Sequence, residues 1–411
     1  MNAISPSRRS VLAGAAGFGL ALELMAVPAL AADADLARRK MIVVICRGGM
    51  DGLSVAPPTG DPEYQGLRGA LALNGTALPL DGTFGLHPAL TSVQALAQAG
   101  QARIVPAVAT PDRARSHFEA QDVLETGAAG VYSASSGWLN RAVEALSAHR
   151  KVEALSVGAT APLILRGKIQ TASWSPGRTV DVEARLPTLL QDLYRNDALL
   201  GPALARGLAT EVMAQTAAAD MASQPTAMKG QPSPANAPQL ARQGREAARS
   251  LGVSLAGFMR EPGGPQVAAI SLDGFDTHAN QAGLLNTRLG YMDAVLDGIH
   301  SGLGPEWKNT VVVVATEFGR TARINGTGGT DHGTASTALL LGGALKTGGI
   351  VGDWPTLKAN ALFENRDVAP TLDMRGLFKG VLAEHMGLDR AVLEKAVFPD
   401  SAAAKPVLGL I

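Results

Sequence analysis

The sequence predicts an α/β fold built on a mainly parallel sheet, and three observations carry the prediction. Continuous apolar runs stand at Met41–Cys46, Val267–Leu272 and Thr310–Ala315, as in strands covered on both faces. Helical patterns alternate with such runs along the chain. Each of the three strands empties into a polar, glycine-bearing loop: Arg47-Gly-Gly-Met-Asp51, Asp273-Gly-Phe-Asp276-Thr-His278, and Glu317-Phe-Gly-Arg320 with Asp331-His332 soon after. In open α/β sheets the carboxyl edge of the strands is where sites are built.

Taken in order, residues 1–32 read as a targeting segment. Ser7-Arg8-Arg9-Ser10 carries paired arginines, an apolar run from Val11 to Leu30 follows, and Ala29-Leu30-Ala31 offers a small-residue cleavage signal. This resembles a twin-arginine export signal. It implies the export machinery as a partner, a periplasmic or secreted mature protein, and no membrane embedding after cleavage. Residues 33–411 then form a single domain. Its first strand, Met41–Cys46, delivers Asp51. Pro57 to Leu86 is a Gly- and Pro-rich excursion. A helix over 88–99 precedes the strand 103–109. Ser116 is placed as the N-cap of the next helix, and Glu119 three residues on predicts a capping box. Thr126-Gly127 closes that helix. Helices are expected over 136–149, 182–213, 241–259 and 281–302. Ala154–Val157 and Pro162–Leu165 look like short strands, Ser336–Leu341 like a further strand, and 216–239 like an exposed low-complexity loop. No repeat has a fixed period.

Composition sets outer bounds. The chain has 411 residues, 46% hydrophobic and 18% charged, enough for a sizeable core. Lys plus Arg balances Asp plus Glu at 36 each, which argues against nucleic acid or an acidic membrane surface as partner. Cys46 is the one cysteine and sits in an apolar strand, so no internal disulfide forms. Aromatics make up 4% of the chain, which offers no stacking platform for a sugar.

The candidate chemistry lies in the loops. Asp51, His117, Asp273, Asp276, His278, Glu317, Asp331 and His332 gather carboxylates and imidazoles at one predicted sheet edge. That donor set suits a divalent metal, zinc first, with magnesium or calcium as alternatives. Ser116 at a helix N-terminus is a candidate nucleophile beside such a metal, and Arg113 and Arg115 are candidates to clamp an anion there.

Several motifs carry a family resemblance. Arg47-Gly-Gly-Met-Asp51-Gly-Leu, Arg115-Ser-His-Phe118, Phe275-Asp-Thr-His278, Thr316-Glu-Phe-Gly-Arg320, Thr330-Asp-His332 and Asp367-Val-Ala-Pro-Thr371 look like landmarks of the domain of unknown function 1501 family. The resemblance covers nearly the whole mature chain. It implies an alkaline-phosphatase-like αβα sandwich and metal-dependent hydrolysis of a small anionic phosphate or sulfate ester. By it, Asp51 resembles a first-strand metal aspartate and Ser116 the nucleophile. Asp273 and His278 resemble a zinc-sharing pair, Glu317 the aspartate of an Asp-His pair, and His332 the last metal histidine. Phe318 stands where the histidine of that Asp-His pair is expected, and no Cys-x-Pro-x-Arg appears. A non-catalytic binding or assembly protein that keeps the fold is therefore the alternative expectation.

Overall fold

The computed structural model describes residues 35–148, 151–157, 161–174, 237–346 and 348–411. The targeting segment 1–32, the helix expected over 182–213 and most of the 216–239 loop lie outside the described residues. An eight-stranded sheet organises the chain. Its strands are β1 (Lys40–Cys46), β4 (Ala102–Ala109), β5 (Ala154–Val157), β6 (Ala172–Trp174), β7 (Val267–Leu272), β8 (Thr310–Ala315), β9 (Ser336–Leu341) and β10 (Leu372–Asp373), and a small hairpin pairs β2 (Leu78–Pro79) with β3 (Gly85–Leu86). The order is β10-β4-β9-β8-β1-β7-β5-β6. Within this sheet every pairing is parallel except those of β9, which runs antiparallel to both β8 and β4.

β1 sits at the centre, with Val43 opposite Val313 of β8 and Ala269 of β7. Its side chains alternate between two cores. Met41, Val43 and Ile45 join one cluster; Ile42, Val44 and Cys46 join the other. That is why the strand reads as a continuous apolar run: both faces are covered, and every position is inside. The helices are α1 (Gly52–Val55), α2 (Tyr64–Arg68), α3 (Thr91–Gln98), α4 (His117–Thr126), α5 (Trp138–Ser147), α6 (Ala237–Arg260), α7 (Gln281–Leu303) and α8 (Met374–Glu384). One face packs Trp138 and Val143 of α5 with Phe378 and Val381 of α8. The other packs Val93 of α3, Leu255 of α6 and Leu289, Met292 and Leu296 of α7. The result is the expected αβα sandwich. The α6–α7 crossing is close because glycines face backbone across it. A Cβ on Gly252 would lie 2.1 Å from the Val295 carbonyl oxygen, and one on Gly298 2.1 Å from that of Arg249.

Three local expectations are corrected. Pro162–Leu165 is not a strand; Leu163–Leu165 is a 3₁₀ turn. α6 begins at Ala237, inside the stretch expected to be loop. Ser116 does occupy the N-cap of α4, but its hydroxyl makes no capping hydrogen bond, so the box with Glu119 does not form. No helix among the described residues is long and apolar enough to cross a membrane.

Two histidines belong to the frame rather than to the site. His385 bonds through Nε2 to the Lys40 carbonyl at 2.9 Å, and His87 accepts the Ala89 N–H at Nδ1 at 3.1 Å. Burial pushes both imidazoles down from 6.5 to about 4. A histidine that is harder to protonate folded than unfolded leaves stability intact above 6.5 and removes it as pH falls from there towards 4. The expected loss is ~3 kcal/mol for each histidine at 1.36 kcal/mol per pH unit. Urea unfolding between pH 7.5 and 4.5 measures it. His385→Gln, which keeps an N–H for the Lys40 carbonyl, should shrink the pH dependence by about half; an unchanged slope would show that His385 does not drive it.

Candidate metal centre

The site forms where the loops after β1, β7 and β8 meet the N-terminus of α4. Close backbone approach builds its floor. Gly48 has φ +113, and a Cβ there would lie 2.4 Å from the Asp276 amide nitrogen, so the β1 loop can lie against the β7 loop only with glycine at that position. Arg320, fully buried, ties the loops together. It donates to the carbonyls of Gly49 (2.7 Å), Gly48 (2.5 Å), Thr330 (3.1 Å) and Phe275 (3.1 Å), and to Asp276 Oδ1 (2.5 Å).

Glu317 follows β8 and is wholly buried. Its carboxylate accepts from the Gly48 N–H (2.8 Å), Gln121 Nε2 (3.1 Å), Thr316 Oγ1 (3.0 Å) and His117 Nδ1 (2.9 Å). Burial pushes its pKa up, but these donors outweigh burial and hold it below the usual glutamate value. An ionised carboxylate only accepts, so His117 carries its proton on Nδ1. Its Nε2 is then left buried with no hydrogen-bond partner, 3.4 Å from Asp276 Oδ2. The bond to Glu317 sets the ring and raises its pKa, outweighing burial, which pulls it down.

Two more imidazoles are fixed in the same way. His332 Nδ1 faces the Arg115 carbonyl at 2.9 Å, and His278 Nδ1 faces Asp331 Oδ1 at 3.3 Å. Both partners are acceptors, so the protons sit on Nδ1 and the Nε2 lone pairs point inward. His332 Nε2 lies 3.2 Å and His278 Nε2 3.1 Å from Asp276 Oδ1, and the two Nε2 atoms are 3.0 Å apart. Burial drives the His332 pKa down, with the charges of Arg320 and His117 adding to it. Burial favours a neutral Asp276, but the hydrogen bond and charge of Arg320 outweigh it and hold the carboxyl at about 2. Phe318 packs its ring 4.9 Å from that of His117 and 4.8 Å from that of His332, forming an apolar wall.

His117, Asp276 and His332 place their ligand atoms within 4.8 Å of one another, and His278 adjoins the last two. Three bare imidazole nitrogens around one carboxylate, one of them an orphaned buried atom, fit a four-coordinate zinc ion in donor type and number. The Nδ1 partners supply the carboxylate or carbonyl support that metal-bound histidines use.

The other candidates sit elsewhere or act at one remove. Glu317 and Asp331 hold histidines by their Nδ1 atoms. Asp51 is buried as the N-cap of α1, paired with Arg68 and accepting from Ser54 Oγ (2.8 Å) and Gln281 Nε2 (2.5 Å). Asp273 is exposed. Arg113 folds back on the carbonyls of Thr110 and Asp112. Arg115, with φ +58, pairs with Glu364 (2.5 Å) and the buried Asp367 (2.9 Å). Ser116 is half-buried beside His117. Reasoning from sequence missed Arg320, which no spacing distinguishes. It also missed Gln121 and Glu125, which extend the candidate His117 into a stripe whose fourfold spacing on α4 was a usable signal. Arg47 bridges Gln121 and Glu125 at 2.7 and 2.6 Å.

Among curated proteins none matches the chain. Solved structures with partial similarity include the lipoteichoic acid synthase LtaP from Listeria monocytogenes, at 9% identity and TM-score 0.35, covering 88% of this chain and 76% of that one. The alkaline phosphatase from the Antarctic bacterium TAB5 shows 13% identity and TM-score 0.34, covering 76% and 93%. The C-terminal periplasmic domain of EcEptC from Escherichia coli, in complex with Zn, shows 11% identity and TM-score 0.29, covering 74% and 72%. The family model for a protein of unknown function (DUF1501) matches residues 80–397, and the chain belongs to that family.

Proposed function

We propose that the protein is an exported, metal-dependent hydrolase of a phosphate or sulfate ester. The observation that carries the reading is the convergence of three Nδ1-pinned imidazoles on Asp276. His117, His278, His332 and Asp276 would hold a divalent cation, zinc by donor type, which supplies Lewis acidity and a lowered pKa for a coordinated hydroxyl. Glu317, Arg115 and Asp331 fix the imidazole tautomers. Arg320 keeps Asp276 ionised at neutral pH. Ser116 caps α4 without using its hydroxyl for the cap, which leaves that hydroxyl available beside His117. The helix N-terminus favours an anion at the same place.

The second reading is a binding or assembly protein that holds a metal without turnover. Its support is specific: Arg113 and Arg115 are engaged by protein acceptors, and Phe318 lines the centre. Zinc-loaded protein assayed on p-nitrophenyl phosphate and p-nitrocatechol sulfate separates the two. Hydrolysis that Ser116→Ala lowers by at least about two orders of magnitude, with zinc retained, is the expected result. Hydrolysis untouched by Ser116→Ala would rule out the serine, and zinc-loaded protein inert on both esters would favour the second reading.

A further inference from the structure

A cavity of about 450 Å³ opens on the flank of the domain, between the 3₁₀ turn Gly69–Leu71, the His87-Pro88 corner and the first turn of α7. Its size is that of a small-molecule pocket. Leu71, Leu73, Pro88 and Leu285 line it, and its polar atoms are few. One of them lacks a partner. His87 is 6% exposed, and its Nδ1 already accepts the Ala89 N–H, so the neutral ring carries its proton on Nε2. Burial keeps that ring neutral. No acceptor meets Nε2–H among the described residues. A donor with no protein acceptor, on a side chain that is itself almost wholly buried and lines an apolar cavity, is open to an acceptor held within that cavity.

The wall offers nothing to an ion. Ser54 and Gln281 also line the cavity, but Ser54 Oγ and Gln281 Nε2 donate to Asp51, and Asp51 is neutralised by the buried Arg68. Among the described residues no lysine, arginine, aspartate or glutamate lines the pocket. The geometry points to a second binding site, separate from the metal centre, that takes an uncharged, mainly apolar molecule through one carbonyl, ether or hydroxyl oxygen bonded to His87 Nε2–H. Gln281 links this wall to the metal-bearing loops, since its Oε1 accepts from Thr277 (3.0 Å) and Thr330 (2.6 Å). The assignment does not depend on the metal or on hydrolysis.

Fluorescence titration of the full chain with prodan, a neutral naphthalene ketone, tests it. Saturable one-site binding with emission shifted to shorter wavelength is expected. Gly283 lies on the rim at the first turn of α7, where an added Cβ meets nothing within 4 Å, so Gly283→Phe narrows the pocket without a clash at Cβ. It should weaken binding by about tenfold or more. His87→Phe should weaken it about three- to tenfold by loss of one hydrogen bond, and His87→Gln should recover part of that. The anionic 1-anilinonaphthalene-8-sulfonate should bind far more weakly than prodan. Circular dichroism and thermal melts check that each variant is folded. Absence of saturable prodan binding, or a folded Gly283→Phe that titrates like wild type, would overturn the site. A folded His87→Phe with unchanged affinity would overturn the role of Nε2, and equal affinity for the sulfonate would overturn the uncharged class.

Discussion

Zinc-loaded protein carrying His332→Ala is expected to lose its metal to a chelator that leaves the wild type loaded. The substitution deletes one of three inward nitrogens and exposes the other side of Asp276, whose Oδ1 lies 3.2 Å from His332 Nε2. Loss of a direct ligand should exceed the ten- to hundredfold drop in affinity typical of an outer partner, so more than about a hundredfold is expected here. Glu317→Gln supplies the graded comparison. It keeps the shape but removes the charge that accepts His117 Nδ1–H at 2.9 Å, and should fall within about ten- to hundredfold. Metal content by atomic emission, with competitive chelator titration, reads both. Equal metal content in wild type and His332→Ala would remove these histidines as the centre.

The second large effect concerns stability. Arg68 and Asp51 form an ion pair with side chains 0% and 1% exposed. Arg68→Met leaves the Asp51 carboxylate buried, with only Ser54, the Leu53 N–H and Gln281 to solvate it. Breaking such a pair from one side costs about 3–5 kcal/mol, because a charge is stranded away from water. Urea unfolding should show that loss. The double variant Arg68→Met with Asp51→Asn should recover much of it, since no stranded charge remains. A loss below about 1 kcal/mol, the range of exposed pairs, would mean that the pair is solvated after all. The same variants separate two roles for Asp51. If it serves the ion pair, folded Asp51→Asn keeps its metal; if it ligates, the metal goes.

Much of the fold could be read from β1, β7 and β8, because strands buried on both faces leave unbroken apolar runs. The loops that follow them could be read as a meeting place, since parallel strands deliver their carboxyl ends to one edge. What could not be read depends on partners far along the chain. Asp51 at a strand end looks like a ligand until Arg68 and Gln281 are seen beside it, and Gln281 is 230 residues away. Arg113 and Arg115 look like free cations until their carbonyl and carboxylate partners close on them. The antiparallel course of β9 has no local signature either, as a buried strand looks the same in both directions. The open capping box at Ser116 shows the limit of a motif: residue types and spacing were right, yet the hydroxyl is not turned to the helix.

The wiring of the three imidazoles has a thermodynamic corollary. Their inward atoms come from the segments around residues 117, 278 and 332; the Arg115 carbonyl and Asp331 that hold two of the Nδ1 atoms lie in two of those segments but serve rings from another, and Glu317 behind β8 adds a fourth segment. A chain with any of these segments undocked presents scattered, differently oriented rings and no cage. A cation that enters this cage therefore selects the fully assembled state from the ensemble, and its binding energy adds to the global unfolding free energy, by ~2.7 kcal/mol at a free concentration one hundred times Kd. Occupancy becomes a gauge of completed folding.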